Sequence, residues 1–200
     1  MSNDLRKFYL NEIGIETWVR RDINLNLVKL NQLKKLFANC QRCLLNLSHK
    51  ESVFLKGQLN NDLMIILDEP YDNDQKHEIL LAKMLSSIGL KIDNIYITDV
   101  TKCNAYFNNE LENVAQKQCK TQLSKEISII APKLILVLGQ LAGHFLLKTD
   151  LTLSNLRGNI YDYQGIKVLN SFPPKYLLNN KIDKKFAYND LLLIKDLLSL

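Results

Sequence analysis

The four cysteines are the residues of this 200-residue sequence whose type and spacing most clearly suit chemistry. Cys40 and Cys43 form a C-x-x-C pair, and Cys103 and Cys119 are separated by about the length of one helix. A C-x-x-C pair can place two thiolates on one metal ion or cluster, and two more cysteines would complete a set of four ligands. The competing interpretation is four unrelated buried thiols, because unpaired cysteine is among the most buried residue types. Since no cysteine is left over, the pattern favours one shared site.

Acidic residues and a proline pair follow two apolar segments. Asp68 and Glu69 come after the run DLMIIL, and Pro173-Pro174 come shortly after the run IKVL. Two carboxylates at such a position can hold a water molecule, although acidic pairs are equally common in solvated turns. Two adjacent prolines fix two φ angles and remove two backbone donors, so they predict a rigid, extended loop.

Strands and helices are predicted to alternate from residue 62 onward. Short apolar or β-branched runs predict buried strands at 62–67, 94–100, 134–138 and 166–169. Apolar residues at helical spacing predict helices at 78–88, 110–130, 140–147 and 184–198. This order predicts an α/β fold, a three-layer sandwich around a central, mostly parallel four-stranded sheet. In such a sheet the functional site lies beyond the carboxyl ends of the strands.

The N-terminal segment has a different pattern. Residues 6–21 form a short amphipathic unit that contains the only tryptophan, Trp18. This unit fits either a first helix packed on the core or a docking peptide with Trp18 as its anchor. A second amphipathic helix is predicted at 23–37, leading into the C-x-x-C pair. We predict two parts: an N-terminal docking peptide of residues 1–21, and an α/β domain of residues 22–200.

Composition limits the classes of protein to which the chain can belong. An apolar content of 46% over 200 residues is sufficient for one buried core. The net charge of +5 favours an acidic or nucleic-acid partner only mildly. The sequence shows neither a signal-peptide pattern nor an apolar run long enough to span a membrane. We therefore predict a cytoplasmic protein with no membrane partner, whose cysteines stay reduced rather than forming structural disulfides.

Six short motifs follow one another in a defined order. They are C-x-x-C at 40–43, Lys102-Cys103 after a predicted strand, Cys119, PKLILVLGQLA at 132–142, LRG at 156–158 and PPKYLL at 173–178. Together, from about Asn39 to the C-terminus, they resemble the iron–sulfur, family-4-like uracil-DNA glycosylases. The resemblance implies a glycosylase-like fold, DNA as a partner, and a [4Fe–4S] cluster held by the four cysteines. The cysteine spacing by itself fits zinc as well.

Several positions depart from the motifs of that family. Its G-E-x-P-G motif corresponds to LDEPY at 67–71, which keeps acidic residues at Asp68 and Glu69 but lacks both glycines and the phenylalanine segment that follows. The family's uracil-reading asparagine corresponds to Asp99, which accepts but does not donate hydrogen bonds when ionised. The histidine that stabilises the departing uracil corresponds to Pro173, which has no donor. The resemblance therefore implies a glycosylase shape in which Asp68, Glu69, Asp99 and Pro173 are degenerate active-site positions.

A second resemblance concerns the N-terminal segment. Its pattern, R-x-x-x-L-x-x-I-G-I-x-x-W-x-x-R, is formed by Arg6, Leu10, Ile13, Gly14, Ile15, Trp18 and Arg21. This pattern is similar to the opening of the psi subunit of the bacterial DNA polymerase III clamp loader. The resemblance implies a peptide that docks on the clamp-loader collar and joins it to the chi subunit. The residues that would contact the partner are Leu10, Ile13, Ile15, Trp18 and Arg21.

Three functional hypotheses are consistent with these patterns. The first is a non-catalytic, glycosylase-like protein that acts in DNA replication as a psi-like accessory subunit of the clamp loader. The alternative is a divergent iron–sulfur uracil-DNA glycosylase in base-excision repair. The third is a protein that binds DNA without catalysis and without a link to the clamp loader. The residues at Asp99 and Pro173 place the non-catalytic hypothesis first.

Overall fold

The computed structural model describes residues 27–32, 34–35, 62–68, 75–100 and 109–199, with the backbone alone for residues 109–118 and 120. The strands of this part of the chain are β1 (Leu63–Leu67), β2 (Tyr96–Asp99), β3 (Leu134–Leu138), β4 (Ile160–Tyr163) and β5 (Ile166–Ser171). Its helices are α1 (Gln75–Ser86), α2 (Asn109–Ile130), α3 (Gln140–Leu147), α4 (Leu153–Leu156), α5 (Pro174–Asn179) and α6 (Lys184–Leu198). Short 3₁₀ turns lie at Ile92–Asn94 and Lys181–Asp183, and residues 27–32 and 34–35 are also helical.

The strands form one sheet in the order β2-β1-β3-β5-β4. The first four in this order are parallel, whereas β4 is antiparallel to β5. Every residue of β1 and β3 is buried. Their continuous apolar sequences follow from this, because a parallel sheet is covered on both faces.

The sheet lies between two layers of helices. On one face, Ile65 of β1 shares a buried core with Leu85 of α1 and Ile194 of α6. On the other face, Val137 of β3 shares a second core with Leu123 of α2, and α3 packs there as well. The three-layer arrangement and the mostly parallel sheet that the sequence predicts are confirmed.

The eight strands and helices predicted from residue 62 onward correspond to observed elements. The helix predicted at 23–37 is helical at residues 27–32 and 34–35, the part of it that the structure describes. The strand at 134–138 and the helices at 140–147 and 184–198 have the predicted bounds, and the other bounds differ by at most three residues. The short helices α4 and α5 were not predicted.

The prediction of four strands is wrong, because β4 adds a fifth. In β4, exposed and partly buried residues alternate, so it lacks the continuous apolar run that marks the parallel strands. It joins β5 through a two-residue turn in which Gln164 and Gly165 have φ angles of 54° and 84°. These are the positive values of a type I′ hairpin turn. Gln-Gly is a weaker signal for this turn than Asn-Gly, and the short strand is hard to recognise without it.

The Pro173-Pro174 segment is only partly the extended loop that the sequence predicts. Pro173 is extended, with φ −70° and ψ 149°, but Pro174 is the first residue of α5. Proline is favoured at this position because the first helical residue needs no backbone donor and the ring already holds a helical φ. The chain therefore passes from β5 into a helix within three residues of Ser171.

The predicted docking peptide, residues 1–21, lies outside the part of the chain that the structure describes. Its five partner-binding residues, and the division of the chain at residue 21, therefore stay predictions. Among the described residues, no helix combines the length and the apolar character needed to cross a membrane.

Candidate functional site

The carboxyl ends of the parallel strands form one edge of the sheet, and the described candidate site positions lie along it. β2 follows β1 in sequence and pairs with one side of it. β4 and β5 follow β3 in sequence and lie on the other side of the sheet. The crevice between β1 and β3 is therefore a topological switch point, where ligands bind in open α/β sheets. Asp68 follows β1, Asp99 ends β2 and Pro173 lies two positions after β5. Glu69 lies outside the described residues.

Asp68 is held at the start of α3. Its Oδ1 accepts a hydrogen bond from the backbone N–H of Ala142 at 2.6 Å, and its Oδ2 accepts one from Leu141 at 3.1 Å. The first N–H groups of a helix have no partner within the helix, and a carboxylate there also meets the positive end of the helix dipole. Asp68 therefore caps a helix from a distant segment of the chain and ties the end of β1 to α3.

The approach of Asp68 to α3 depends on a glycine at position 139. A Cβ atom added to Gly139 would overlap the Asp68 carboxyl group, and the φ of 132° at this glycine is one that other residues rarely adopt. Gly143, one turn further along α3, likewise leaves room for the buried side chain of Asn170 in β5. The two glycines allow α3 to lie close to the ends of the central strands.

Asp99 is almost enclosed at the end of β2. It lies beside Leu67 in the sheet and is only 3% exposed. Because strand residues alternate, it lies on the same face as Ile97, the face that packs against α1. An ionised carboxylate at this position can accept hydrogen bonds but cannot reproduce the paired donor and acceptor of an amide.

A buried polar cluster joins the opposite face of β2 to α2. The Thr98 hydroxyl donates a hydrogen bond to the Glu126 carboxylate at 3.2 Å, and both residues are buried. Burial and the nearby Glu126 carboxylate raise the pKa of Tyr96 above its ordinary value, so this buried phenol stays protonated. The cluster fixes α2, the helix that carries Cys119, against the sheet.

Cys119 is the one predicted metal ligand among the described residues. It is buried in α2, at 8% exposure. From Cys119 to the end of α2 at Ile130 the helix rises about 16 Å. Since α2 then leads into the amino end of β3, Cys119 lies near the level of the carboxyl edge. Cys40, Cys43 and Cys103 lie outside the described residues, and within those residues no group of three or more His, Cys, Asp or Glu could hold a metal ion.

A buried ion pair anchors the segment that follows β5. Arg157 donates to both carboxylate oxygens of Asp190, from Nε to Oδ2 at 3.2 Å and from Nη2 to Oδ1 at 2.5 Å. The Ser171 hydroxyl also donates to Oδ2, at 2.7 Å. Burial raises the pKa of the Asp190 carboxyl, while the hydrogen bonds from Ser171 and Arg157 act in the opposite direction. The pair joins the LRG motif, the end of β5 and α6 close to Pro173.

Sequence reasoning missed the contact of Asp190 with Arg157 and that of Asp68 with α3. Asp190 does carry a signal, because it lies on the apolar face of α6 beside Ala187, Leu191 and Ile194, and a charge in such a stripe needs a buried partner. The capping role of Asp68 carries no comparable signal, since its partner Leu141 is 73 positions away in the chain.

Comparison with known proteins identifies several similar sequences. Residues 56–194 match the family described as the Uracil DNA glycosylase superfamily. The type-4 uracil-DNA glycosylase of Thermotoga maritima is 29% identical over an alignment of 152 residues, and the match covers 71% of this chain and 79% of that protein. The type-4 enzyme of Archaeoglobus fulgidus is 27% identical over an alignment of 165 residues, with coverage of 74% of this chain and 83% of its own length. That of Sulfurisphaera tokodaii is 25% identical over an alignment of 185 residues, with coverage of 84% of each chain.

The family match includes all five strands of the described sheet and the positions of Asp68, Asp99 and Pro173. It begins after residues 1–21, whose resemblance to the psi subunit therefore stays a prediction. Because the match spans more than half of the chain, this protein belongs to the uracil-DNA glycosylase superfamily.

Proposed function

We propose that this protein acts on DNA in base-excision repair, as a divergent glycosylase whose base preference differs from uracil. The relatives are type-4 uracil-DNA glycosylases, which favours this role over the non-catalytic one that the sequence places first. The observation that carries the proposal is Asp99, a buried carboxylate at the end of β2 in the place of the family's asparagine.

The chemistry of Asp99 indicates which bases would fit. The pairing edge of uracil has one N–H donor between two carbonyl acceptors, so a carboxylate would meet an acceptor with an acceptor. A base with two neighbouring N–H donors would satisfy both carboxylate oxygens. Asp99 would therefore select against uracil and for a base edge rich in donors, such as that of guanine or a lesion derived from it.

The other strand ends support weak excision of uracil. Pro173 offers no donor to a departing uracil anion, and loss of one such donor typically costs on the order of 10²–10³ in rate. Asp68 caps the start of α3 with both oxygens, so part of its capacity to accept hydrogen bonds from a water is already taken.

We also propose that Cys119 holds a [4Fe–4S] cluster together with Cys40, Cys43 and Cys103. The buried position of Cys119, near the level of the carboxyl edge, suits a thiolate ligand beside the site. When bound, such a cluster would cross-link distant segments of the chain. The free energy of binding between the cysteines and the cluster would add to the stability of the fold. Zinc bound by the same four thiolates would serve the same structural purpose.

Base release from a panel of single-stranded oligonucleotides tests the proposal. The panel contains uracil, hypoxanthine, xanthine and an oxidised guanine, each at one position, with the Thermotoga maritima relative as a positive control. We expect release of the oxidised guanine, the base of the panel with two neighbouring N–H donors on its pairing edge. We expect uracil release to be at least about 10²-fold slower than uracil release by the relative. Release of no base would remove the catalytic proposal. Fast uracil release that Asp68→Asn abolishes would instead identify an ordinary uracil-DNA glycosylase.

A second candidate function is the psi-like accessory subunit of the DNA polymerase III clamp loader. The observation that favours it is the N-terminal pattern with Trp18, ahead of a domain in which Pro173 and Asp99 replace catalytic groups. In this role residues 1–21 would bind the clamp-loader collar and the chi subunit, and the glycosylase-like domain would bind DNA without cleaving it.

Removal of the Trp18 ring tests this second function. Trp18→Ala is expected to weaken binding to the clamp-loader complex by at least about 30-fold, as loss of a hot-spot aromatic residue does, while the melting temperature stays unchanged. Tyr188→Ala, which removes a ring that is 45% exposed on α6, serves as the matched control and is expected to leave binding intact. Unchanged binding by Trp18→Ala, or a large fall in its melting temperature, would show that the tryptophan is structural.

A further inference from the structure

Five side chains form a continuous ladder beside the end of β5. The ring of Tyr176 stacks on that of Phe172, with centroids 4.9 Å apart and an angle of 17° between the ring planes. The Arg157 guanidinium lies over both Phe172 and Phe186, at 5.6 Å and 5.1 Å from the ring centroids. The ammonium group of Lys185 lies over the Phe186 ring at 4.8 Å. Two stacked rings, a guanidinium, a third ring and an ammonium group therefore follow one another in contact from α5 to α6.

Hydrogen bonds fix two members of the ladder, Arg157 and Tyr176, in place. The Arg157 guanidinium at its centre is fixed by Asp190 and also donates to the backbone carbonyl of Phe186 at 3.0 Å. The Tyr176 hydroxyl donates to the Asp183 carboxylate at 2.6 Å, which fixes the ring at the end of the ladder. A partner that binds these rings would not need to order them first, which lowers the entropic cost of binding.

The outer end of the ladder is open, and lysines outnumber acidic residues in the segment that carries it. Tyr176 is 38% exposed, and Ile182, in the adjoining 3₁₀ turn, is 79% exposed. Between positions 172 and 188 the sequence has four lysines and a single acidic residue at the surface, Asp183, whose carboxylate already accepts the Tyr176 hydrogen bond. The lysines are Lys175, Lys181, Lys184 and Lys185. Exposed ring and aliphatic surface with a cationic border fits a partner that has both flat apolar faces and negative charge.

We propose that the ladder, with Tyr176 at its end, is a platform on which unpaired bases of single-stranded DNA stack, while the DNA phosphates lie along Lys181, Lys184 and Lys185. Base stacking on exposed aromatic side chains beside lysines is how proteins bind single strands without reading sequence. In duplex DNA each base face is already covered by its neighbour, so the platform favours single strands. This inference rests on the proposed action on DNA and adds the strand form that is bound.

Fluorescence anisotropy with the full-length protein tests the platform. The probes are a labelled oligothymidine and a duplex of the same length, and thermal melts confirm that each variant is folded. Tyr176→Leu is expected to lower single-strand affinity about tenfold, because it removes one stacking surface, and to change duplex affinity much less. Tyr176→Phe keeps the ring and is expected to recover the affinity that Tyr176→Leu loses.

Charge is tested with a matched pair of lysines. Lys185→Ala removes the ammonium at the other end of the ladder and is expected to weaken binding and reduce its salt dependence. Lys167→Ala removes an equally exposed lysine near the amino end of β5, away from the ladder, and is expected to leave both unchanged.

The possible outcomes separate this inference from the proposed function. Duplex binding as tight as single-strand binding, with no effect of Tyr176→Leu, would overturn the platform and leave an action on DNA intact. Wild-type protein that binds neither probe would overturn both.

Discussion

Asp68 occupies a position that the family resemblance associates with catalysis, and in this structure it makes a structural contact there. The family resemblance places an acidic residue at position 68 beside the attacking water, yet here its two oxygens accept hydrogen bonds from Leu141 and Ala142. Pro173, at the other side of the same edge, has an extended backbone that any residue can adopt. Altering Asp68 would remove its two hydrogen bonds to α3, so Pro173 is the better place to restore chemistry.

Restoring the two lost groups is expected to raise uracil excision. Pro173→His combined with Asp99→Asn returns a donor for the leaving base and an amide for its edge. We expect uracil release to increase by about 10²-fold over wild type, the lower value associated with one transition-state donor. The measurement is single-turnover uracil release from a single-stranded oligonucleotide. Pro173→Ala with Asp99→Asn is the control, and equal rates for the two double variants would contradict the assigned role of position 173.

At the scale of elements, the sequence predicted what continuous apolar pattern specifies. The strand LILVL at 134–138 and the helix at 184–198 were predicted with the observed bounds. Burial on both faces gives the strand a continuous apolar run, and burial of one face gives the helix a regular apolar period. β4 was not predicted because its residues are exposed or only partly buried and its turn is Gln-Gly rather than Asn-Gly. α5 was not predicted because the proline pair was interpreted as a loop, whereas Pro174 is the first residue of a helix.

The candidate site was predictable only in part, because its positions and its contacts arise differently. Asp68, Asp99 and Pro173 follow or end strands, so the rule that sites lie at the carboxyl edge was enough to locate them. The contacts of Asp68 with α3 and of Arg157 with Asp190 join distant segments, the second pair being 33 positions apart. Such pairs depend on how the layers pack, and a single sequence contains little trace of them.

The entry to α3 gives a stability prediction. Gly139→Ala forces a Cβ atom into the Asp68 carboxyl group at a φ of 132°, so it adds backbone strain and displaces the helix cap. We expect a loss of roughly 2–5 kcal/mol in the free energy of unfolding, the sum of about 1–3 for strain and about 1–2 for the cap. The control is Gly165→Ala, at a φ of 84° with no atom within 4 Å of the added Cβ, which is expected to cost about 1–2 kcal/mol. Urea unfolding measures both, and equal losses would show that Asp68 does not matter.

At the scale of the whole molecule, the proposed cluster would join the N-terminal part of the α/β domain to α2. Cys119→Ser is expected to abolish visible iron–sulfur absorption, release the bound iron and lower the melting temperature, because a structural metal centre contributes directly to folding. Ser128→Ala, a change on the exposed side of the same helix, controls for damage to α2. Absorption spectra and metal analysis of anaerobically purified protein provide the measurement. Protein that binds zinc instead would retain the four-cysteine site but exclude the iron–sulfur assignment, and protein without metal would exclude both.

β4 has a consequence for the behaviour of the protein in concentrated solution. In the described part of the chain it is the last strand on its side of the sheet, and an uncovered sheet edge is a template for aggregation through pairing with a second chain. β4 is only four residues long, carries Asp162 within it and ends at a tight turn. Short length and an acidic side chain both discourage such pairing. The strand that sequence patterns failed to detect therefore closes the parallel sheet with an edge that is poorly suited to polymerisation.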